Sequence, residues 1–323
     1  MQLGDLGAAI QISFTYFTIL YLTGLGGLFS ERSGIVNIGL EGLMIIGTVT
    51  GSWGTFYFTT ELGLGLPWGP VLGLFVGLVA GVLFAAVHAL ATVTFRVDQI
   101  VSGVVINLVA IGLARFMSTV FFGQATQSDP GQPHLSSIDI PLLSDLPLGL
   151  GRAFTDLSPV VVFAFLMVFP VRFALFRTRW GLRLRSAGEN PEATSSLGVR
   201  VAPLRYQGVL LSGALAGLAG AFLSIEVVNN WREGQTLGLG FIALAALILS
   251  NWNPVRLMFA AWLFGFAQAI PLRLSDAPVI DLLPDAFIRM IPFVVTIVVL
   301  AGFVGKVRPP EAAGRAYEAG GGT

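Results

Sequence analysis

The stretch ERSGIVNIGLEGLMIIGT, Glu31–Thr48, sets a carboxylate inside an otherwise apolar run. Leu43, Met44, Ile45 and Ile46 follow Glu41, while Gly34, Gly39, Gly42 and Gly47 interrupt the pattern. An ionised carboxylate at mid-membrane depth costs about 2.5–3.5 kcal/mol on insertion scales. Glu41 must therefore be paired, protonated or near water. The glycines argue for a discontinuous helix, whose freed backbone groups are tolerated only inside protein or along a wet cavity. Asn37 and Glu41 are four apart and share one face of any local helix. Two readings stay open: both line a substrate route, or Glu41 is a structural staple that accepts backbone amides or pairs with a residue such as Arg32.

The surrounding chain fits a membrane setting. Of 323 residues, 54% are hydrophobic and 11% charged, where a soluble domain carries roughly 25% charged residues. Crossing the bilayer takes about 20 mostly apolar residues. Segments of that kind lie near 8–28, 36–59, 68–95, 99–121, 158–176, 206–228, 237–251, 256–272 and 285–304, which predicts an all-α polytopic bundle of about nine spans (eight to ten). There is no cysteine, and His88 and His134 stand far apart, so neither a metal centre nor any other cofactor is expected. The first residues lack a basic region and a small-residue cleavage site, so the first apolar run is expected to stay in the membrane.

Basic residues set the orientation. With the N-terminus outside, the inner loops receive Arg32, Arg96, Arg172, Arg177, Arg179, Arg183, Arg185, Arg200, Arg205, Arg256, Lys306, Arg308 and Arg315. The outer loops keep Arg152, Arg232 and Arg273, beside Asp129, Asp139, Asp145, Asp156, Asp276, Asp281 and Asp285. The prediction is N-out and C-in. A single transmembrane domain is expected over 1–307, with an extracytoplasmic loop at 122–157 and a basic cytoplasmic loop at 177–205. The tail, 308–323, reads as disordered.

The inner loop is more than a connector. GENPEATSSLGV, from Gly188, holds a short helix signal: Glu189 before it, Asn190 as N-cap, Pro191 at the first helical position, Glu192 in the first turn and Gly198 as the stop. Such a projecting element is expected to dock a cytoplasmic partner.

Glu192, Ala193 and Gly198 stand at the spacing of the E-A-A-x-x-x-G loop that this segment resembles, that of ABC importer permeases, with Thr194 in place of the second alanine. The string WGLRLRSAGENPEATSSLGV and the following RYQGVLLSGALAGLAGAFLS resemble the ribose/branched-chain amino acid permease superfamily. SGIVNIGLEGLMIIG is similar to the signature of its nucleoside (Bmp-linked) branch, and the resemblance runs from about Gly24 to Gly305. It implies the shorter permease subunit of an ATP-driven nucleoside importer in the cell membrane. The partners it implies are a separate ABC ATPase, a second homologous permease subunit and an extracytoplasmic substrate-binding lipoprotein. No nucleic-acid partner is expected. The lone lysine, Lys306 in GFVGKV, lacks the P-loop pattern, so hydrolysis belongs to the partner and the chain is not read as an enzyme.

Other polar residues qualify as pathway candidates. Asn107 lies mid-span, and Gln99 with Ser102 could continue its face; helix–helix bonding is the alternative for Asn107. His88 reads as a packing residue, and Arg115 as snorkelling or pairing with Glu226. Asn229, Asn230 and Trp231 are candidate contacts for the binding protein, Trp231 also as an interface aromatic. Gly73, Gly77, Gly81, Gly213 and Gly217 have the spacing of packing faces. VNIGLEGLMIIG and LGLGFIALAALILS echo each other as glycine-opened segments in the two halves. Sugars or branched-chain amino acids are alternative cargoes, and an ion-coupled secondary transporter is the alternative class.

Overall fold

The computed structural model describes residues 3–147, 149–274, 285–303 and 307–318. The side chains of Arg273 and Asp285, with Asp276, Asp281, Lys306 and residues 319–323, lie outside that description. Within it the chain is helical, without a strand. The helices are α1 (Leu3–Arg32), α2 (Leu40–Phe56), α3 (Trp68–Ala89), α4 (Gln99–Phe122), α5 (Pro159–Leu166), α6 (Val168–Arg177), α7 (Arg179–Glu189), α8 (Pro191–Ser196), α9 (Val201–Phe222), α10 (Leu239–Leu249), α11 (Pro254–Leu274) and α12 (Asp285–Phe303). Single π-helical turns extend α2, α3 and α9.

Among the described residues six helical segments are long and apolar enough to cross a membrane: Gly7–Arg32, Trp68–Thr94, Gln99–Phe122, Pro159–Arg177, Val201–Val227 and Pro254–Leu272. Leu239–Leu249 and Met290–Val299 are shorter apolar helices. Each of the nine segments read from hydropathy contains a helix, and the second starts later than expected. The second was expected from residue 36, but α2 begins at Leu40, because Gly34 takes φ +96° and residues 33–39 leave the helix. Within 158–176, Pro170 has no N–H to donate and crowds the carbonyl one turn back. The chain accordingly breaks at Met167 between α5 and α6.

α1 and α9 form the centre, with 83% of their apolar windows buried against 33% for α3 and α4. The α2–α3–α9 contacts are built from glycine. A Cβ on Gly47 would strike the Gly217 carbonyl oxygen, one on Gly81 the Gly213 carbonyl, and one on Gly77 would come 2.5 Å from Ala221 Cβ. The small-residue spacings are therefore helix–helix seams, as van der Waals packing between apolar helices requires.

The bundle has two ends. At one, the start of α1 meets the long 122–157 loop: Gln11 Nε2 donates to the Thr155 carbonyl at 2.8 Å. At the other, the end of α1 meets α7: Arg32 Nη1 lies 3.4 Å from Glu189 Oε1. This second, basic end also gathers the α3–α4 turn, α8 and the C-terminal segment. Composition argued for disorder after residue 307, but 307–318 fold back onto the basic end. Arg308 N donates to Asn251 Oδ1 (3.0 Å), Ala312 N to the Gly188 carbonyl (2.9 Å), and Arg96 pairs with Glu318 at 2.7 Å. Backbone groups make two of these three contacts, which is why a small-residue tail with no apolar pattern is held at all.

The seams give a direct test. Gly47→Val and Gly217→Val are each expected to lower the melting temperature of the detergent-purified protein, since overpacking costs about 1–3 kcal/mol. Gly112→Ala, with nothing within 4 Å of the new Cβ, is expected to melt like the parent.

Candidate functional site

Residues 33–39 form the break that the opening glycines announced, and it is held by side chains from two other helices, α4 and α9. Gln99 Oε1, at the start of α4, accepts the Val36 amide at 2.6 Å. Asn37 Nδ2 donates to Ser212 Oγ at 2.9 Å. Ser212 is halfway along the 22-residue α9, so the break climbs to the middle of the bundle before α2 starts. Asn107, from α4, spans the restart: its Oδ1 accepts the Gly42 amide at 2.7 Å and its Nδ2 donates to the Ile38 carbonyl at 3.0 Å. One asparagine thus satisfies a donor inside the first turn and an acceptor before it, groups that an unbroken helix would have satisfied internally.

Glu41 closes the other side. Its Oε1 accepts from Thr236 Oγ1 at 2.6 Å and from the Gly238 amide at 3.0 Å, and its Oε2 accepts the Gly240 amide at 2.7 Å. Those amides belong to the N-terminus of α10, which has no side-chain cap of its own. A Cβ on Gly240 would lie 2.6 Å from Glu41 Cα, so the starts of α2 and α10 touch. Each helix start carries about half a positive elementary charge, and the carboxylate sits where the two add. Glu41 takes its hydrogen bonds from the opposite half-helix and none of those described comes from Arg32, which instead donates to the Trp252 carbonyl and faces Glu189.

All four pathway candidates gather round this break. Asn37 (1% exposed), Gln99 (2%), Glu41 (7%) and Asn107 (9%) are buried. Asn37 Oδ1 has no protein partner among the described residues. Ser102 does not continue the Asn107 bonding pattern; its hydroxyl pairs with His88 Nδ1 at 2.8 Å, which leaves His88 a fully buried packing residue.

The stretch 228–238 descends beside α2 to reach Glu41, and it changes the outer reading. Trp231 and Asn230 are each 2% exposed. The Trp231 indole donates to Thr48 Oγ1 at 3.2 Å, its amide to Ser128 Oγ at 2.9 Å, and its carbonyl accepts the Ser128 amide at 2.9 Å. Asn229, at φ +56°, accepts the Gln132 amide on its carbonyl at 3.1 Å. Trp231 and Asn230 therefore face the protein beneath residues 126–132, where a binding-protein contact or a lipid-interface aromatic was expected. Arg115 reaches Glu233 at 3.9 Å in place of Glu226, and Glu226 accepts the Leu135 amide at 2.8 Å.

At the basic end the short-helix signal is realised as α8. Asn190 Oδ1 accepts the Ala193 amide at 2.9 Å, Pro191 opens the helix, and Gly198 takes φ +78° after it. Glu192, Ala193 and Gly198 are exposed, and Leu197 is 83% exposed at the tip. Glu189 points the other way: Oε1 faces Arg32 and Oε2 accepts the Glu311 amide at 3.3 Å.

Sequence reasoning missed Ser212 and Thr236, as well as Arg205, a 2%-exposed guanidinium donating to the Arg315 carbonyl at 3.1 Å, and it placed Gly238 and Gly240 in the segment that echoes α2 without joining them to Glu41. The only local signal was GQTLGLG, a hydroxyl and two glycines immediately before an apolar run.

An apolar bundle, opposed half-helices and a capped projecting helix together are the build of a membrane permease subunit. The chain belongs to the family described as branched-chain amino acid transport system / permease component, whose pattern matches residues 9–300. It is similar to the guanosine ABC transporter permease protein NupQ of Bacillus subtilis, 40% identical over 97% of both chains. It is also similar to the nucleoside ABC transporter permease protein NupC of Lactococcus lactis, 42% identical over 94% of both. The putative glucose ABC transporter permease protein TsgC13 of Haloferax volcanii is 37% identical over 84% of this chain and 77% of its own. In fold the chain resembles an inward-facing conformation of a putative metal-chelate type ABC transporter, with a TM-score of 0.50 and 16% identity over 91% of this chain and 84% of that one.

Loss of the carboxylate should open α10 before anything else. Glu41→Leu is expected to speed hydrogen exchange at the Gly238 and Gly240 amides and to lower the melting temperature, since a buried unsatisfied donor costs about 1–3 kcal/mol. Glu41→Gln, which keeps an acceptor oxygen, is expected to fall between Leu and the parent. Equal exchange in all three proteins would count against the staple.

Proposed function

We propose that this chain is the permease subunit of an ATP-driven importer for nucleosides, one half of a translocation pathway in the cell membrane. Full-length similarity to permeases named for guanosine and nucleosides carries the reading. The chain crosses the bilayer nine times, N-terminus out and C-terminus in, with 33–39 plus α2 and 229–238 plus α10 as the two discontinuous crossings. A binding lipoprotein delivers the solute at the 122–157 end. A separate ATPase docks at the basic end, and a second, homologous permease completes the route.

The chemistry fits an uncharged, hydrogen-bonding cargo. Paired half-helices meeting at a repeat interface mark a solute route in other transporter folds. Asn37, with a free acceptor oxygen, and Asn107, Glu41 and Gln99 belong to the pathway as the groups that hold its movable backbone. Glucose is the second reading, favoured by the similarity to TsgC13. Uptake of labelled guanosine, adenosine, uridine, glucose, ribose and leucine by cells with and without the locus separates the two. Nucleoside uptake is expected to fall on deletion; a fall in glucose, ribose or leucine alone would overturn the assignment.

Docking rests on α8, through the exposed Glu192 and Ala193 with Leu197 as the apolar tip, while Asn190, Pro191 and Gly198 shape the helix and Glu189 ties its base to the bundle. Leu197→Asp is expected to weaken ATPase co-purification, as loss of one apolar anchor costs about 2 kcal/mol. Gly198→Pro should do the same, because proline holds φ near −65° where this position needs φ +78°. ATPase retained at the parental level in both variants would remove α8 from the interface.

A further inference from the structure

The C-terminal segment 307–318 touches both the docking helix and the broken helix. On one side it is tied to the residues that lead into α8. Glu311 N donates to Glu189 Oε2 at 3.3 Å, and Ala312 N donates to the Gly188 carbonyl at 2.9 Å. On the other side it is tied to the break. Gly314 N donates to Gln99 Oε1 at 3.2 Å, the same oxygen that accepts the Val36 amide at 2.6 Å. Gln99 Nε2 lies 3.4 Å from the Arg315 carbonyl and 3.5 Å from the Gly34 carbonyl. A Cβ on Gly314 would rest 3.8 Å from Val36 Cγ2.

Two side chains thus hold the break and the tail together. Gln99 binds Val36 and Gly314; Glu189 faces Arg32, the last residue of α1, and binds Glu311. Arg205 adds a third tie from α9. Its Nη1 donates to the Arg315 carbonyl at 3.1 Å, its guanidinium lies 5.7 Å from the Tyr317 ring centroid, and its Nη2 is 3.0 Å from where a Cβ on Gly34 would be. The far end is pinned by the Arg96–Glu318 pair at 2.7 Å.

We propose that residues 307–318 are a mechanical link that passes movement of α8 to the broken start of α2. Asn190 and α8 follow Glu189 directly, so a displacement of the docking helix pulls on Glu311 and on Arg32 together. The tail then carries that pull to Gln99, and Gln99 to Val36. Without the tail, α8 keeps its cap and its exposed face but loses one of its two routes to the break. The link rests on the docking role given to α8 and does not depend on the cargo.

The absence of cysteine makes the test clean. Ile38→Cys, partly exposed within the break, is labelled with a water-soluble maleimide in the permease–ATPase complex. Labelling is compared with the ATPase nucleotide-free and with ADP–vanadate trapped. The expected result is a rate difference of about tenfold between the two states in the full chain, the scale of an ordinary coupling free energy. That difference should collapse on removing 308–323, with ATPase co-purification unchanged. Glu311→Pro removes the amide that reaches Glu189, with the Glu311 carboxylate exchanged as well, and is expected to shrink the difference too, whereas Glu311→Gln, which keeps the amide, is expected to leave it; this pair decides the matter if the truncated chain fails to accumulate.

A full difference persisting in both variants overturns the link, and so does a full chain whose labelling is indifferent to nucleotide. Loss of the ATPase on truncation would overturn it as well, by making the tail part of the docking face. No nucleoside enters the assay, so an error in the cargo leaves the result standing. Failure of the full chain to hold an ATPase would instead defeat the docking role itself.

Discussion

One carboxylate joins the start of one helix to the start of another. Glu41 belongs to the first turn of α2, yet both its oxygens are committed to the start of α10. In a hydrocarbon setting each unmet backbone group costs several kcal/mol, and two helix starts brought together would expose several such donors in one place. Interrupting the chain halfway along α9 is tolerable because Glu41 fills the gap on one side and Asn107 bridges it on the other. Neither residue could be replaced by an apolar one of equal size without leaving amides unmet, and this constraint explains the polar content of an otherwise apolar centre.

The same constraint orders the rest of the molecule. α1 and α9 are buried because they flank the break, while α3, α4 and α5–α6 present much of their surface outward. Among the described residues, 33–39 and 228–238 are long stretches where the backbone leaves helical geometry beside the buried helices, and each is secured by side chains of other elements. The 122–157 loop contributes Ser128 to the second of these. The basic end contributes Gln99 and the tail to the first. Function thus concentrates where helical hydrogen bonding has been given up and rebuilt with side chains.

How much of this was legible in the sequence follows from how local each signal is. Gly34, Gly39 and Glu41 stand within eight residues, and the break could be read from them. So could the Asn190 cap and the Gly198 stop, because capping chemistry is confined to a single turn. The partner of Glu41 could not be read, since Thr236, Gly238 and Gly240 lie almost two hundred residues away and only the fold brings them together. Trp231 was misread for a related reason: an aromatic near a helix end ordinarily marks the membrane interface, but Thr48 and Ser128 supply hydrogen-bonding partners that draw it inward. The contacts of 307–318 could not be read either, because backbone atoms make many of them, and backbone atoms leave no trace in residue type.

The glycine seams among α2, α3 and α9 have one more consequence. Where backbones meet without side chains between them, no rotamer can change to absorb a displacement, and sliding one helix past another would drive carbonyl oxygens into Cα atoms. These three helices therefore form a stiff plate. Compliance is left to the two non-helical stretches and to the outer helices.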